Sequence, residues 1–139
     1  MASTAGYSGT PLYKKLGYKE GFRVAWLQVP DRYAVMLDEL PFPIELAEEG
    51  AECIDLAHLF VKTKEEFERL VLASRQRIRQ NGMIWVSWPK KASKVPTELT
   101  EDYIRDFALQ HDLVDVKVCA VDEVWSGLKL VIPVKSRTS

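Results

Sequence analysis

The spacing of apolar positions in this chain predicts alternating strands and helices, most clearly in its second half. Residues 54–61 form an apolar run that is typical of a buried strand. Thr63 and Glu66 follow as a capping box, in which the threonine oxygen accepts from an early backbone N–H and the glutamate reaches back. The apolar positions of the helix that follows share one face, namely Phe67, Leu70, Val71 and Ile78. We expect this helix to end at Asn81 and Gly82, after last turns that are rich in arginine.

The alternation continues toward the C-terminus. Residues 83–88 predict another buried strand, and Thr100 caps a helix whose first turn is acidic. The apolar face of that helix consists of Tyr103, Ile104, Phe107 and Ala108. Two more strands are predicted at residues 114–121 and 128–134, joined by residues 122–127. So short a connection requires these two strands to run antiparallel, whereas the strand–helix–strand units before them predict a parallel sheet.

The first half of the chain is less regular. Residues 11–17 predict a short helix, with proline in its first turn and glycine just past its end. Residues 22–29 predict a strand that Pro30 terminates, residues 33–40 a short helix, and residues 43–47 a short edge strand. We therefore predict one α/β domain over residues 11–135, with an irregular arm at residues 1–10 and a polar tail at residues 136–139.

The predicted architecture is a Rossmann-like, mostly parallel sheet with helices on both faces and a C-terminal antiparallel hairpin strand. This order of elements resembles the second half of the class I methyltransferase fold, whose last strand also returns antiparallel. The first half is abbreviated, because residues 30–53 leave room for one helix and at most one short strand.

Composition and charge narrow the classes of function. Apolar residues make up 47% of the chain and charged residues 28%, which is typical of a globular domain. The net charge of −1 provides no long-range attraction for nucleic acid or anionic lipid, so we expect neither as a partner. No apolar stretch approaches the roughly 20 residues that span a bilayer, and residues 1–10 lack the pattern of a secretion signal. The expected location is the cytoplasm.

Two cysteines and two histidines give no basis for a metal site. Cys53 and Cys119 match no zinc spacing and have apolar neighbours, so we expect both to be buried core residues. His58 lies within an apolar strand, where a buried and hydrogen-bonded role is expected, and His111 lies at a helix end. Asp55 is expected to accept hydrogen bonds from backbone at the start of the strand that contains His58.

The carboxyl edge of the sheet is the predicted binding surface. Loops that follow parallel strands open on one edge, and this is where ligands bind in open α/β sheets. The candidate ligand-binding residues in these loops are Asp31, Lys90, Lys91, Ser93, Asp122, Glu123 and Trp125. A mixed-charge rim with aromatic residues suits a small-molecule cleft, and it is equally typical of the solvated edge of any α/β domain.

The turn after the first strand argues against a nucleotide-type cofactor. A dinucleotide or S-adenosylmethionine site needs glycines there, so that backbone N–H groups approach the ligand. This chain has Pro30 and Asp31, followed by the bulky Arg32 and Tyr33. Ser8 lacks the preceding glycine of a nucleophile elbow, and it comes before the first strand. We therefore expect no cofactor, no metal and no catalytic residue.

The four tryptophans are expected to pack in or against the hydrophobic core. Strand alternation places Trp26 and Trp85 inside the sheet. Trp88 and Trp125 lie at the carboxyl edge, where an indole ring either stacks on a planar ligand or seals the core. Sealing is the role that we expect.

Several short segments together resemble a family of small bacterial proteins known as a domain of unknown function, the DUF3052 family. The segments that carry the resemblance are residues 6–12, 15–17, 85–93, 99–102 and 116–128. The most specific are Trp-Pro-Lys-Lys at 88–91 and Asp-Glu-x-Trp-Ser-Gly-Leu at 122–128. The resemblance covers nearly the whole chain and implies a bacterial, cytoplasmic, single-domain protein. It implies no activity and no catalytic residues.

The biochemical function is not encoded in a recognisable motif. The leading hypothesis is a non-catalytic domain that binds a small molecule or a protein on a shrunken methyltransferase-like scaffold. One alternative is an S-adenosylmethionine-dependent methyltransferase with an atypical cofactor loop. Another is a homo-oligomeric subunit that associates through an exposed sheet edge or helix face.

Overall fold

The computed structural model describes residues 10–137. The helices are α1 (Leu12–Leu16), α2 (Tyr33–Met36), α3 (Lys64–Arg77) and α4 (Glu101–Gln110). The strands are β1 (Arg23–Leu27), β2 (Glu45–Leu46), β3 (Ile54–Phe60), β4 (Ile78–Pro89), β5 (Val114–Ala120) and β6 (Trp125–Val131). Short 3₁₀ turns lie at Lys91–Ser93 and Val134–Ser136. The predicted N-terminal arm and C-terminal tail fall largely at residues 1–9 and 138–139, outside the described residues.

The strands form one six-stranded sheet in the order β2-β1-β3-β4-β6-β5. Strands β1 to β4 are parallel, whereas β6 is antiparallel to both β4 and β5. The predicted Rossmann-like class and its C-terminal antiparallel hairpin are therefore confirmed. The carboxyl ends of β1, β3, β4 and β5 share one edge of the sheet, as the sequence predicts.

Helix α3 confirms the predicted start but not the predicted end. The Thr63 side chain accepts from the Glu66 backbone N–H at 3.1 Å, and the Glu66 carboxylate accepts from the Thr63 backbone, which completes the capping box. The helix ends at Arg77 and β4 begins immediately at Ile78, so the expected stop at Gly82 is wrong. Gly82 instead lies inside β4, where an added Cβ would come within 2.8 Å of the Ile54 carbonyl oxygen. Close approach of two strands, and not helix termination, requires this glycine.

The helix and strands in the first half of the chain are shorter than the sequence predicts. Helix α2 has four residues instead of the predicted eight, because Asp38 and Glu39 adopt left-handed backbone with φ of 66° and 55°. Strand β1 ends at Leu27, before the left-handed Gln28. The predicted edge strand exists as the two residues of β2.

The hairpin between β5 and β6 is tighter than predicted. Strand β6 begins at Trp125 instead of residue 128. The Asp122 carboxylate accepts from the backbone N–H groups of Val124 and Trp125, both at 2.8 Å, and so folds the connection within three residues. Gly127 follows, where an added Cβ would lie 3.2 Å from the Trp85 ring.

The sheet has two unlike faces. Helices α3 and α4 cover one, the α3–α4 face, with a mainly aliphatic core around Phe67 and Ile104. Helices α1 and α2 cover the other, the α1–α2 face, whose interior includes the aromatic residues Tyr18, Tyr33, Phe60 and Trp85. Trp85 is fully buried there, and its indole N–H donates to the Leu16 carbonyl at 2.8 Å.

The expectation that both cysteines are buried is wrong. Cys53 is exposed, in a left-handed turn just before β3. Cys119 is half-buried because it lies on β5, an outer strand of the sheet, and burial raises the pKa of its thiol. Within residues 10–137, no helix has the length and apolar character needed to cross a membrane.

Candidate functional site

The loops after β4 and β5 meet at the carboxyl edge. Pro89 pairs with Trp125 in the sheet, and the Lys90 backbone N–H donates to the Val124 carbonyl at 2.7 Å. The structure therefore brings the Lys90 loop beside the turn that contains Asp122 and Trp125. This adjacency follows from the hairpin topology that the sequence predicts.

The loop at residues 90–94 is internally braced. The Ser93 hydroxyl donates to the Lys90 carbonyl at 2.7 Å and accepts from the Val95 backbone N–H at 3.2 Å. Lys91 is exposed and Lys90 is half-buried. Within residues 10–137 neither ammonium group has an ion-pair partner. The two lysines are thus available to a ligand, whereas the Ser93 hydroxyl shapes the loop.

The acidic residues of this edge likewise differ, since one is engaged in the loop and the other is available to a ligand. The Asp122 carboxylate is engaged by two backbone N–H groups and is a structural residue. Glu123 is exposed beside it. The Trp125 ring packs edge-on against Phe60, with ring centroids 4.9 Å apart. Trp125 therefore seals the core from this side, and Trp88, only 7% exposed, does so on the α3–α4 face.

Asp31 lies apart from these residues. It is exposed in the turn after β1, and β3 separates β1 from β4. The structure groups Lys90, Lys91 and Glu123 along one part of the edge, with Asp31 at another.

The space above the carboxyl ends of β1 and β3 is filled by the chain's own side chains. Tyr33, the first residue of α2, is 1% exposed. Its ring packs edge-on against Trp26 and Phe60, with centroids 4.9 and 5.5 Å apart. The Gln28 amide donates to the Phe60 carbonyl at 2.9 Å and ties the two strand ends together. Tyr33 therefore fills space at the first strand–helix turn, and Arg32 is exposed to solvent.

A buried chain of hydrogen bonds lies beneath Tyr33, and sequence reasoning did not find it. The Tyr33 hydroxyl lies 2.8 Å from the Tyr18 hydroxyl and 2.6 Å from Nδ1 of His58. His58 Nε2 lies 2.7 Å from the Ser87 hydroxyl, and the Trp26 indole N–H donates to the Tyr18 oxygen at 2.9 Å. We refer to these five residues as the buried network.

The network holds His58 in its neutral form. Complete burial lowers the pKa of His58 to about 3, and burial raises the pKa of Tyr18 to about 12. Burial also raises the pKa of Tyr33 well above its ordinary value. Because the Trp26 indole can only donate, one order satisfies both tyrosine hydroxyls and both imidazole nitrogens: Tyr18 donates to Tyr33, Tyr33 to His58, and His58 to Ser87.

The pairing of Ser87 with His58 has the geometry of a nucleophile and its base, but it has no access to substrate. Both side chains are 0% exposed. A reacting carbonyl cannot reach the Ser87 oxygen without dismantling the α1–α2 face, so the arrangement is structural. The expectation that His58 is a buried, satisfied histidine is confirmed. Asp55 also has its expected role, since it accepts from the Arg23 backbone N–H at 2.8 Å.

An open groove of about 650 Å³ lies beside α2. Its lining residues are Trp26, Ala34, Val35, Leu37, Asp38, Glu39 and Leu40. The floor is mainly apolar, the rim carries two carboxylates, and Val35 is 76% exposed. Within residues 10–137, no cluster of three or more histidine, cysteine or acidic side chains could hold a metal ion.

No protein-family model matches the sequence, and no curated protein is significantly similar to it. Solved structures do share the fold. A SAM-dependent methyltransferase from Aquifex aeolicus superposes with a TM-score of 0.56 at 12% identity, covering 88% of each chain. Magnesium protoporphyrin IX methyltransferase from Synechocystis, with bound SAM, gives 0.55 at 11% identity, covering 88% of this chain and 74% of that one.

Fibrillarin from Aeropyrum pernix, solved with natively bound S-adenosyl-L-methionine, gives a TM-score of 0.51 at 16% identity, covering 86% of this chain and 73% of that one. At such low identity these likenesses show the fold alone. They establish a methyltransferase-like, Rossmann-type scaffold and assign no activity to this chain.

Proposed function

We propose that this chain is a non-catalytic binding or interaction domain built on a reduced methyltransferase-like scaffold. The observation that carries the proposal is the filled space above the carboxyl ends of β1 and β3. In open α/β sheets a ligand sits in that crevice, against a glycine-rich turn. Here Tyr33 and Phe60 pack together in it, and Gln28 bridges the two strand ends.

Opening this space is costly. Moving Tyr33 would break its hydrogen bonds to Tyr18 and His58 and would leave buried polar groups without partners. Each such group costs about 1–3 kcal/mol. This free-energy cost would subtract directly from the binding free energy of a cofactor. The turn also offers no glycine, and Pro30 lacks a backbone donor.

The binding surface that we propose is the part of the carboxyl edge around Lys90, Lys91 and Glu123. These side chains are available, whereas those of Asp122 and Ser93 are engaged in the loops that display them. Two unpaired ammonium groups favour a ligand or protein segment with a carboxylate or phosphate. The net charge of −1 favours such a partner over nucleic acid or a membrane.

A thermal-shift screen tests the proposal. The panel contains S-adenosylmethionine, S-adenosylhomocysteine, nicotinamide dinucleotides and nucleotide phosphates. A ligand at 100 times its Kd adds about 2.7 kcal/mol, or several degrees in Tm. We expect no stabilisation by the two methyl-donor compounds. Any ligand or partner that does bind should lose affinity in the Lys90→Ala, Lys91→Ala double variant and keep it in a Lys14→Ala, Lys135→Ala control.

The second candidate function is an S-adenosylmethionine-dependent methyltransferase with an atypical cofactor loop. The fold favours it, since structures that hold the methyl donor superpose on this chain with TM-scores of 0.51 and 0.55. A clear rise in Tm with either methyl-donor compound would overturn the leading proposal and establish cofactor binding.

A third candidate is a homo-oligomeric subunit that pairs through β5. This outer strand exposes Val116 and Val118, each to about half of its surface. Light scattering coupled to gel filtration, at several concentrations, separates a dimer from a monomeric binder. A Val116→Lys change on the edge should return a β5-paired dimer to monomer.

We also propose membership of the DUF3052 family, with a bacterial origin and a cytoplasmic location. The segments that carry the resemblance coincide with residues that build the edge: Asp122 folds the hairpin turn, and Gly127 allows Trp85 to pack. Family members should therefore keep an Asx-type turn and a small residue at these two positions, which an alignment of the family tests.

A further inference from the structure

Two lysines face each other across the β5–β6 hairpin. Lys117 and Lys129 are direct partners in the antiparallel register. Both side chains lie on the α1–α2 face, because Cys119 and Trp125, two and four residues away along the strands, pack into the core of that face. Like charges placed directly opposite in a sheet are destabilising. The pairing therefore needs a reason.

Helix α1 and the residues that follow it contribute to the surroundings of this pair of lysines. The Lys117 ammonium donates to the carbonyl of Lys15, in the last turn of α1, at 3.1 Å. Lys19 is exposed and follows α1 by three residues. Burial, followed by repulsion from Lys117 and Lys19, lowers the pKa of Lys129. No carboxylate contributes to that shift, and within residues 10–137 Lys19, Lys117 and Lys129 form no ion pair.

A purely structural role explains only part of this cluster. Lys117 satisfies a carbonyl at the end of α1, where the helix dipole favours a cation. Lys129 has no such role, although it is half-buried. Its partner on β4 is Trp85, which a leucine or methionine at position 129 would cover equally well without the charge. The cluster thus carries an uncompensated cost in the free protein.

We propose that Lys19, Lys117 and Lys129 form a binding site for a phosphoryl group, either of a small phosphate ester or of free phosphate. A tetrahedral dianion accepts hydrogen bonds from several ammonium groups at once and removes their mutual repulsion. The cluster has only three lysines and the chain as a whole is nearly neutral, which suits a small anion better than a nucleic acid.

The site is separate from the surface proposed above. Lys129 pairs with Trp85, which lies four residues before the end of β4. Lys129 therefore lies within the sheet and not at the carboxyl edge that displays Lys90. One proposal can therefore fail without the other.

Calorimetric titration with inorganic phosphate, and separately with glycerol phosphate, tests the site. We expect one saturable site with a Kd of about 1 mM or tighter. Lys129→Gln should weaken it by about tenfold or more, because one charge-assisted contact is lost. Lys135→Gln, at an exposed lysine outside both proposed sites, is the matched control and should leave it unchanged. NMR of the Lys129 side chain should show its pKa rising when phosphate binds, which a merely structural lysine would not show.

The free Lys129→Gln protein should be at least as stable as the parent, since repulsion is relieved, so lost binding cannot be attributed to unfolding. Tighter binding of the ester than of free phosphate would support the site and identify a small-molecule ester as its ligand. Absence of saturable binding would overturn the proposal. So would binding that Lys129→Gln leaves intact, or that Lys135→Gln weakens equally.

Discussion

The two faces of the sheet are buried by different kinds of interaction. On the α3–α4 face, fully buried Phe67 and Ile104 contact other apolar side chains, and the one buried polar side chain of α3 in the described residues, Ser74, has no hydrogen-bond partner. On the α1–α2 face, the large buried rings carry hydroxyl or ring nitrogen atoms that bond to one another, as Tyr33 does with His58. The first face relies on hydrophobic burial alone, and the second adds a directional network.

This difference shows how short helices can cover half of a sheet. Helices α1 and α2 have five and four residues, too few to be stable by themselves. The hydrogen bonds from Trp26 to Tyr18 and from Tyr33 to His58 fix where these segments lie on the sheet. Trp85 donates to the carbonyl at the end of α1. A satisfied network specifies one arrangement, whereas a broken one leaves buried polar groups unpaired and costs more than an apolar defect of the same size.

The largest expected effect is acid destabilisation through His58. Its folded pKa is about 3 against 6.5 when unfolded, so between these values only the unfolded chain binds the proton. The free energy of unfolding should therefore fall as pH decreases, by about 1.4 kcal/mol per unit below pH 6.5, or roughly 3 kcal/mol by pH 4. Urea unfolding at pH 7, 5.5 and 4 measures this.

The control for this prediction is His58→Leu, which is less stable at pH 7 but should lose the slope between pH 6.5 and 4. Asp112 contributes only at lower pH, because hydrogen bonds from Ser136 and Arg75 hold the pKa of its carboxyl below the ordinary value. Equal stability of the parent protein at pH 6.5 and pH 4.5 would contradict a buried neutral His58, and with it the distinction between the two faces.

The face whose covering helices the sequence predicted well is the one built from local signals. Helices α3 and α4 begin at their threonine caps, because a cap and a 3.6-residue period are encoded within a few neighbouring positions. The end of α2 was missed because Asp38 and Glu39 adopt left-handed backbone that residue type alone does not dictate. The early start of β6 was missed because it depends on the Asp122 turn.

In the candidate site, too, some features could be predicted from the sequence and others could not. Topology alone places the Lys90 loop beside the turn at Asp122, so that adjacency was predictable. The buried network was not, since it joins Tyr33 to His58, 25 residues away in sequence, and His58 to Ser87, 29 residues away. The Lys117–Lys129 pair was hidden as well, because it depends on a hairpin register that one residue of slip would change.

The second largest expected effect tests how much the tyrosine hydroxyl groups contribute to stability. Tyr33→Phe keeps the ring and its packing but leaves the Tyr18 hydroxyl without its acceptor and Nδ1 of His58 without its donor, so it should cost about 1–3 kcal/mol. Tyr103→Phe on the α3–α4 face removes a hydroxyl that donates to Glu68 at the half-exposed surface, where water replaces the lost partner. Chemical denaturation of both variants should show a clearly smaller loss for Tyr103. Equal losses would mean that the network adds nothing beyond ring packing.

The smallest expected effect tests the local signals of the α3–α4 face. Thr63→Ala removes the oxygen that accepts from the Glu66 N–H, and should cost about 1 kcal/mol, whereas Thr63→Ser keeps the oxygen and should cost a few tenths at most. Helix α1 has no such dependence, because Pro11 precedes it without any side-chain cap, so Pro11→Ala should change stability less than Thr63→Ala. Equilibrium urea unfolding of the three variants measures the ranking. If Pro11→Ala proved the most costly, α1 would depend on its own start signal, and tertiary anchoring through Tyr18 and Trp85 would not be what holds it on the sheet.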